Sequence, residues 1–537
     1  MLAKKATLAV AVAAATFTMS ASALTTNDEV RGVFDDAQPT SIWDSFVEGS
    51  SMDMKVRSSN LDMKGSSVDV NTSWKPTSNE LISDINNFRK TDEGSQLASK
   101  LIEEATGQAI PPELLKNMPD FLVIRELQKF INEDSVNALV NQIAGTVGNE
   151  VRRDTTLGQF GMALWGHFQS GYLFDVVGFD LGFHAGSVWN DYDKGNMMHT
   201  GDKNMARLSI ANVKFRFGDE DRHFGFRTGR MELDTLHFGR DNTEWLLDKN
   251  FEGSMVNAKW DGLNVYGLEV TARGEFNSED FVKYEDVSHF ERAGVKKSHT
   301  LGADYYSDYG MIRTARTESK NYLRTDSFEI ASGLPMHMVG FDVPEGKEMD
   351  HLFVFQVNGN WQKAHKDFVN PFGKHLPDHN GSAVDFLIGA QWGNLFFGAS
   401  YLQVGKNGFY EAGFGGGGMS EILAGETLIN GWSMPNQRTY TYVASYNWAD
   451  LGNPGLTTQL ISANSRNIDM DAVRESGDMI YYLVGKEQFQ ETLFEVRYSP
   501  TEGMLDGLTA RFITGFESNI GSMSGWGAFI DYDFALF

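Results

Sequence analysis

The 537-residue sequence contains no cysteine, so it offers no disulfide, no thiolate metal site and no cysteine nucleophile. Beyond residue 23 it also lacks any stretch of about 20 apolar residues, and we predict no membrane-spanning helix there. Basic residues are scarce, with 46 Lys and Arg against 72 Asp and Glu. This acidic balance argues against nucleic acid as a partner, because phosphates are bound by basic surfaces.

Residues 1–23 predict a secretory signal peptide. Lys4 and Lys5 precede a short apolar run, and Ala21 and Ala23 form a small-x-small cleavage pattern. The chain is also rich in glycine (55 residues) and in aromatic residues (12%). An exported chain of this composition without a spanning helix is typical of a bacterial outer-membrane β-barrel.

The last stretch, residues 525–537, alternates with a period of two. One parity is apolar and the other carries Asp531 and Asp533. The apolar parity comprises Trp526, Ala528, Ile530, Tyr532 and Phe534. Such alternation predicts a strand with one apolar and one polar face. We expect it to be the closing strand of a barrel and to pair with the first strand.

The rest of the chain divides by pattern. Residues 24–46 are polar and acidic and predict a periplasmic N-terminal extension; 47–75 predict the first barrel strand and the start of a loop. In 76–152 apolar residues recur at helical spacing, and Pro112 followed by Glu113 predicts a helix start. The remainder, 153–537, returns to strand alternation. We therefore predict an all-β transmembrane barrel of about 18 antiparallel strands, with an inserted α-helical subdomain after the first strand.

Connections between the predicted strands alternate in length. Short turns are indicated at 218–222, 260–264, 307–310 and 449–455. Long connections fall near 187–203, 230–250, 274–295, 360–381, 404–437 and 466–488. In bacterial barrels the short turns lie at the periplasmic rim and the long loops outside. By this count the helical insert lies on the outer side, as a cap, a plug or a surface that binds a partner.

Several stretches resemble the OprD-type family of substrate-specific outer-membrane porins. FVEGSSMDMKVRSSNLDMK (46–64) resembles the first strand of that family, and GHFQSGYLFDVVGFDLGFHAG (166–186) its second hairpin. RTGRMELDTLHFGRDNTEWLLDKNFEG (227–253) resembles the strand and constriction loop, and YTYVASYNWADLGNPGLTTQLISA (440–463) a later strand and turn. The resemblance implies an 18-stranded monomeric barrel, a narrow eyelet formed by inward-folded loops, and a ladder of Arg and Lys that guides small solutes.

The sequence also departs from the family pattern. The insert at 76–152 has no counterpart, and Trp245 stands where members tend to carry Arg before Leu-Leu. The second basic position of the first strand falls on Met63, with Lys64 one step away. The ladder is thinned where it would set selectivity, so the family's preference for carboxylates does not transfer directly.

Two sets of residues are candidates for the chemistry of passage. On a barrel strand, the parity opposite the apolar face points into the lumen. That rule selects as pore-lining Lys55, Arg57, Lys214, Arg216, Arg227, Glu269, Arg273, Glu495, Arg497 and Arg511. The charged loop near 230–250 supplies the constriction candidates Arg230, Glu232, Asp234, Arg240, Asp241, Glu244 and Trp245. The plainer alternatives are wall residues in stabilising ion pairs and an ordinary solvated outer loop.

These patterns favour passive, selective diffusion of small solutes such as amino acids, carboxylates or short saccharides. The alternative is an adhesin or receptor whose helical insert binds an extracellular partner. No enzyme activity, cofactor or metal is predicted, and the acidic cluster at 467–478 does not follow the EF-hand spacing for calcium. We expect outer-membrane lipid and small solutes as partners, no nucleic acid, and a monomer, with a trimer left open.

Overall fold

The computed structural model describes residues 50–65, 90, 95, 111–117, 156–192, 203–219, 221–239, 246–275, 278–347, 350–371, 373–410, 434–476, 488–500, 505–518 and 523–536. The predicted signal peptide, the N-terminal extension and most of the 76–152 insert lie outside these residues. Two compact units are distinguished: one comprises residues 1–64, 156–482 and 486–537, and the other residues 65–155 and 483–485.

The first unit is built from antiparallel strands. They are β1 Ser51–Gly65, β2 Thr156–Gln169, β3 Val177–Tyr192, β4 Asn204–Gly218, β5 Arg222–Met231, β6 Asn250–Trp260, β7 Leu263–Gly274, β8 Phe281–Lys283, β9 Ser298–Ser307, β10 Gly310–Ser319, β11 Leu323–Pro335, β12 His351–Ala364, β13 Ser382–Trp392, β14 Leu395–Val404, β15 Arg438–Asn447, β16 Leu456–Arg466, β17 Phe489–Tyr498, β18 Leu508–Ser518 and β19 Met523–Ala535. Each ring strand pairs with its neighbours, and β19 pairs with β1. Since β8 pairs only with β7, the closed ring has 18 strands, as predicted.

The helices of the described chain are short: α1 Pro112–Asn117, α2 Ser288–Ala293 and α3 Met470–Ser476. In the second unit, α1 begins where the Pro-Glu pattern predicts a helix start, and the Asn117 amide donates to the carbonyl of Glu113 at 2.8 Å. None of the helices described is long and apolar enough to cross a membrane.

Alternation along the strands separates an inner from an outer face. On β11 the inner residues Thr325, Ser327 and Glu329 are buried, whereas on β13 the outer Phe386 and Ile388 are exposed. Apolar residues cover the outer face, which is the pattern expected of a barrel in a membrane. β19 shows the predicted parity, with Ile530 and Tyr532 on the outer face and Asp531 on the inner one.

Connection lengths alternate between the two rims. One rim carries the short turns 219–221, 261–262, 308–309 and 393–394, and the other carries 193–203, 232–249, 275–297, 365–381, 405–437 and 467–488. Most of these positions match the predicted short and long connections. Two connections break the alternation, since 320–322 is short on the rim of the long loops and 336–350 is long on the other rim.

The long connections fold back and bury apolar side chains against the inner faces of the strands. One cluster, the loop core, joins residues of β5–β7 and β11 to residues of the loops 232–239, 284–295 and 365–381. Its members are Met231, Leu233, Phe238, Phe251, Met255, Tyr266, Leu268, Val270, Tyr284, Phe290, Ala293, Val295, Tyr322, Leu323 and Phe368. This packing fills part of the interior beside β5–β11 and leaves charged residues on the opposite wall.

Candidate functional site

The barrel seam carries a first charged group. Arg57 on β1 donates from Nε and Nη2 to the two carboxylate oxygens of Asp531 on β19, at 2.7 and 2.6 Å. Lys55, one inner position away, lies 3.3 Å from Asp533. Both cations lie over the indole ring of Trp165 on β2, 5.2 and 4.7 Å from its centre. Lys55 and Arg57 thus lie on the inner face, where both neighbouring strands supply their partners.

A second charged group lies on β3, β4 and β5. The Asp180 carboxylate accepts a hydrogen bond from Arg227 and lies 3.1 Å from the ammonium of Lys214. Lys214 and Arg216 both lie over the ring of Tyr172, at 4.9 and 4.3 Å from its centre. The structure therefore places Lys214 and Arg227 on one carboxylate that the sequence did not single out, and Arg216 beside Lys214 on the same aromatic ring.

A third group lies on β17 and β18. Glu495 is placed between two arginines, 2.9 Å from Nε of Arg511 and 3.3 Å from Nε of Arg497. The two arginines are cross-strand neighbours, and Arg511 also lies over the ring of Phe529 on β19. A carboxylate between two guanidinium groups reduces their mutual repulsion, so both remain charged at one height of the wall.

We name the seven cations of these groups the basic ladder: Lys55, Arg57, Lys214, Arg216, Arg227, Arg497 and Arg511. They lie on one continuous wall formed by the neighbouring strands β17, β18, β19, β1, β2, β3, β4 and β5. The acidic partners named above number four (Asp180, Glu495, Asp531 and Asp533), so within these three groups the cations outnumber the carboxylates they contact. Lys55 and Arg497 keep 22% and 23% of their side chains exposed, whereas the other five are buried. The two partly exposed cations are therefore the members of the ladder that are open to solvent.

The predicted inward position of Glu269 is wrong. Glu269 shares its parity with the exposed Leu263 and Val265, and its partner Lys297 lies 2.7 Å away at the rim. The error arises because the apolar parity of this strand, with Tyr266, Leu268 and Val270, faces inward into the loop core. A β-bulge follows, where the register passes from Gly253–Val270 to Glu252–Ala272 and leaves Thr271 unpaired. An unpaired residue reverses the facing of everything beyond it.

Arg273 lies beyond this bulge. The register places it opposite the buried Phe251, and it pairs with Glu275 at 2.8 Å where the outer loop begins. It is therefore separate from the basic ladder.

We call residues 232–249 the constriction loop after its prediction; its two described parts, 232–239 and 246–249, contact the inner wall on different strands. Its first part runs along the inner face of β10: the Asp234 carbonyl accepts from Arg313 at 3.2 Å, Leu236 packs on Ala315, and His237 reaches Thr317. Its last part contacts β2, where the indole of Trp165 donates to the Leu246 carbonyl at 2.8 Å.

Gly161 on β2 accommodates this contact, because a Cβ there would overlap the side chain of Leu246. The loop thus connects the basic ladder to the opposite wall.

The constriction candidates occupy different places. Glu232 and Asp234 are in the described part of the loop, while Arg240, Asp241, Glu244 and Trp245 lie outside the described residues. Arg230 is not a loop residue but part of β5, on the outward parity, where it pairs with Glu252 at 3.1 Å and stacks over Phe281 at 4.0 Å. Its prediction as a constriction residue is therefore wrong, because β5 extends one residue beyond it.

Sequence reasoning missed Arg313, which is fully buried beneath the constriction loop. Its guanidinium lies 3.5 Å from Asp304 on β9, 3.7 Å from Glu329 on β11 and 3.7 Å from the Asp234 carboxylate. Arg207 was also missed; its guanidinium donates to the carbonyls of Asp248 and Glu275 and so fixes the end of the loop. Both arginines hold loops in place. Only the parity of Arg313 and Arg207 along their strands could have indicated that they face inward. Parity is a weak signal in strands that carry polar residues on both faces.

His237 is the buried histidine of the constriction loop. Burial lowers its pKa to about 4, with a smaller upward effect from Asp326 and a downward one from Arg313. The imidazole is therefore neutral at pH 7.

Within the described residues, no group of three or more His, Asp or Glu side chains is arranged to hold a metal ion. Of the acidic cluster at 467–478, Asp469 has another role: its carboxylate accepts from the backbone N–H of Ala472 at 3.0 Å and from the Asn436 amide at 3.2 Å. The first of these bonds is the N-cap of α3.

Comparisons with known proteins identify a fold. No family model and no curated protein matches the chain. The structure is similar to that of OpdK with vanillate from Pseudomonas aeruginosa, with a TM-score of 0.61, 13% identity, and coverage of 91% of this chain and all of that one. OccD3 (OpdP) of the same organism gives 0.60 and 13% over 92% of this chain and 93% of the other. OccK2 (OpdF) with glucuronate, also from this organism, gives 0.58 and 13% over 92% and 100%. These neighbours are OprD/Occ-family porins, and the chain has their fold, as its motifs predicted.

Proposed function

We propose that the protein is an outer-membrane porin through which small solutes diffuse passively and selectively. The support is a closed 18-stranded ring with an apolar outer face, together with a loop whose two described parts contact the inner wall on different strands. In such barrels the charges at the narrowest point replace part of the hydration of a solute without trapping it. The predicted signal peptide and the apolar outer face agree with an outer-membrane location, and the resemblance implies a monomer.

Among small solutes we propose carboxylates as the preferred class. The observation that carries this proposal is the basic ladder, in which seven cations share one wall with four acidic partners. Lys55 and Arg497 remain partly exposed, and ammonium and guanidinium groups are the donors of the charge-assisted hydrogen bonds that carboxylates accept. The vanillate and glucuronate carried by two of the similar structures are carboxylates as well.

The test is single-channel recording of the refolded protein without its signal peptide in a planar bilayer. We expect steady openings, a reversal potential that indicates anion preference, and brief blocking events with small carboxylates. Neutral sugars of similar size serve as the control and block less. Folded barrels that do not conduct would contradict the porin function. Conduction with cation preference and no carboxylate block would contradict only the solute class.

The helical insert at 76–152 is tested separately. We propose that it caps the outer mouth, so its deletion leaves a conducting barrel with a larger conductance. An adhesin or receptor would instead lose its binding partner on deletion, and no described residue outside the insert favours that alternative. Recordings from the deleted and full-length proteins at the same salt concentration distinguish the two.

A further inference from the structure

Residues 234–237 of the constriction loop lie against the inner face of β10, and we call this contact area the seat. Three successive inner positions of β10 each contact one loop residue. Arg313 donates to the carbonyl of Asp234, Ala315 packs on Leu236, and Thr317 is hydrogen-bonded to His237. Leu233 and Phe238 on either side are buried in the loop core. The far end of the same loop contacts Trp165, which lies beside Lys55 of the basic ladder.

His237 is the polar centre of the seat. Its Nδ1 lies 2.6 Å from the hydroxyl of Thr317 and its Nε2 lies 2.6 Å from the hydroxyl of Ser327. Thr317 in turn lies 2.6 Å from the hydroxyl of Thr300, and Ser327 donates to the amide oxygen of Asn360. One hydrogen-bond chain thus joins β9, β10, the loop, β11 and β12.

The chain determines which nitrogen carries the proton. With the Asn360 amide oriented as in the structure, the Ser327 hydroxyl uses its hydrogen on that amide, so it accepts from His237 Nε2. Nδ1 is then unprotonated and accepts from the Thr317 hydroxyl. Both nitrogens of a neutral ring are satisfied. A protonated ring would need Thr317 to accept as well, and the chain would have to reverse.

The surroundings also disfavour a charged ring. His237 is 1% exposed. Arg313 on β10 repels an imidazolium and Asp326 on β11 attracts it. The other nearby carboxylates, Asp304, Glu329 and the loop's own Asp234, are within 4 Å of the Arg313 guanidinium, which offsets one of their three charges. Burial and the bonding of both ring nitrogens therefore favour the neutral form.

Resting on the porin function proposed above, we propose that His237 is the positioning residue of the constriction loop. Through Thr317 and Ser327 it seats the loop on the lumen wall, and this seat sets the size limit of the passage. When the ring is protonated, the seat is released and the passage widens. The size limit is thus controlled from the wall opposite the basic ladder, by a residue that need not touch the solute.

The seat should weaken as the pH falls below the pKa of a solvated imidazole. That pKa is near 6.5 when the loop is released and about 4 when it is seated. The population of the released state, relative to that of the seated state, then increases about 20-fold between pH 7 and pH 5. In single-channel recordings, we expect a wider substate whose occupancy rises by this factor and returns when the pH is restored.

Three variants test the proposal. His237→Gln supplies one acceptor and one donor but no charge, so it should keep the narrow passage at pH 7 and abolish the pH response. His237→Ala and the near-isosteric Thr317→Val lack the bond to β10 and should show a larger conductance at pH 7. Both should admit larger neutral sugars into liposomes. The matched control is His379→Gln, which removes a histidine of similarly lowered pKa from a different loop and should respond to pH as the wild type does.

The outcomes separate this inference from the porin function. If the wild type conducts but His237→Gln keeps the full pH response, the seat is not controlled by His237. If Thr317→Val folds, as judged by heat-modifiable gel mobility, and retains the wild-type size limit, the inference is also wrong. Folded wild-type barrels without conductance would instead contradict the proposed function itself.

Discussion

Arg57 on the first strand and Asp531 on the last strand form a bidentate ion pair, although 474 positions separate them in the sequence. The pair bridges the seam at which the ring closes, and Arg57 is 3% exposed. Its two short hydrogen bonds therefore connect the two ends of the barrel within the lumen. The same guanidinium also covers Trp165, which contacts the constriction loop.

Removing either partner should weaken the seam. For Arg57→Ala and for Asp531→Asn we expect a loss of about 2 kcal/mol in the free energy of unfolding, because each leaves a largely buried charge without its partner. Urea unfolding in lipid vesicles measures this loss. In the double variant the losses should not add, since both changes remove one interaction. Additive losses would show that the two residues contribute independently.

The exposed cations of the ladder should control ion selectivity. Lys55→Gln and Arg497→Gln each remove a charge that is open to solvent, so anion preference should decrease, with carboxylate block about fivefold weaker if the interaction amounts to about 1 kcal/mol. The reversal potential under a salt gradient measures the change, which should be larger at low salt. Lys363→Gln, on the outward parity of β12, is the control. An equal shift in that control would indicate that the wall position is irrelevant.

Two glutamates test whether the effect of a carboxylate on ion selectivity depends on the face of the barrel that carries it. Glu495 lies between Arg497 and Arg511 on the inner wall, so Glu495→Gln should increase anion preference by leaving both cations less neutralised. Glu269 lies on the outward parity, and Glu269→Gln should leave the reversal potential unchanged. The same recordings serve for both. A shift in the Glu269 variant would mean that its carboxylate is exposed to the passage after all.

The contrast between these glutamates shows how much of the wall could be predicted from the sequence. Alternation selected Lys55, Arg57 and Glu495 because the other parity of their strands is apolar, and the structure has these three side chains on the inner face. The same rule failed at Glu269, since the apolar parity of β7, with Tyr266, Leu268 and Val270, faces the loop core inside the barrel. The sequence of β10 has polar residues on both parities, so it did not indicate that Arg313 faces inward and Arg316 outward.

The loop contacts were beyond prediction for a different reason. His237 meets Thr317 and Ser327, which lie 80 and 90 positions later in the chain. Nothing in the local pattern of the loop indicates partners at that distance. The resemblance implied an inward-folded loop, but the wall on which the loop rests follows only from the register of β10 and β11.

Acid should loosen the outer loop at 365–381. Its His379 lies against Phe368 and Tyr410, and burial lowers its pKa to about 4. An undocked loop has an ordinary imidazole pKa near 6.5, so it binds more protons than the docked loop between these two values. The contribution to docking is complete above pH 6.5. It falls by up to about 3 kcal/mol as the pH drops to about 4.

Hydrogen exchange of the backbone amides of residues 365–381, compared at pH 7 and pH 5 after correction for the intrinsic rate, measures this loosening. His379→Gln cannot be charged, so exchange in this variant should not accelerate at the lower pH. The N–H groups of Ala364 and Leu376, which donate to the carbonyls of His379 and Phe368 at 2.9 Å, are the most direct reporters. If these amides accelerate equally in the wild type and in the variant, a different group titrates, and the carboxylates of the neighbouring loops become the candidates.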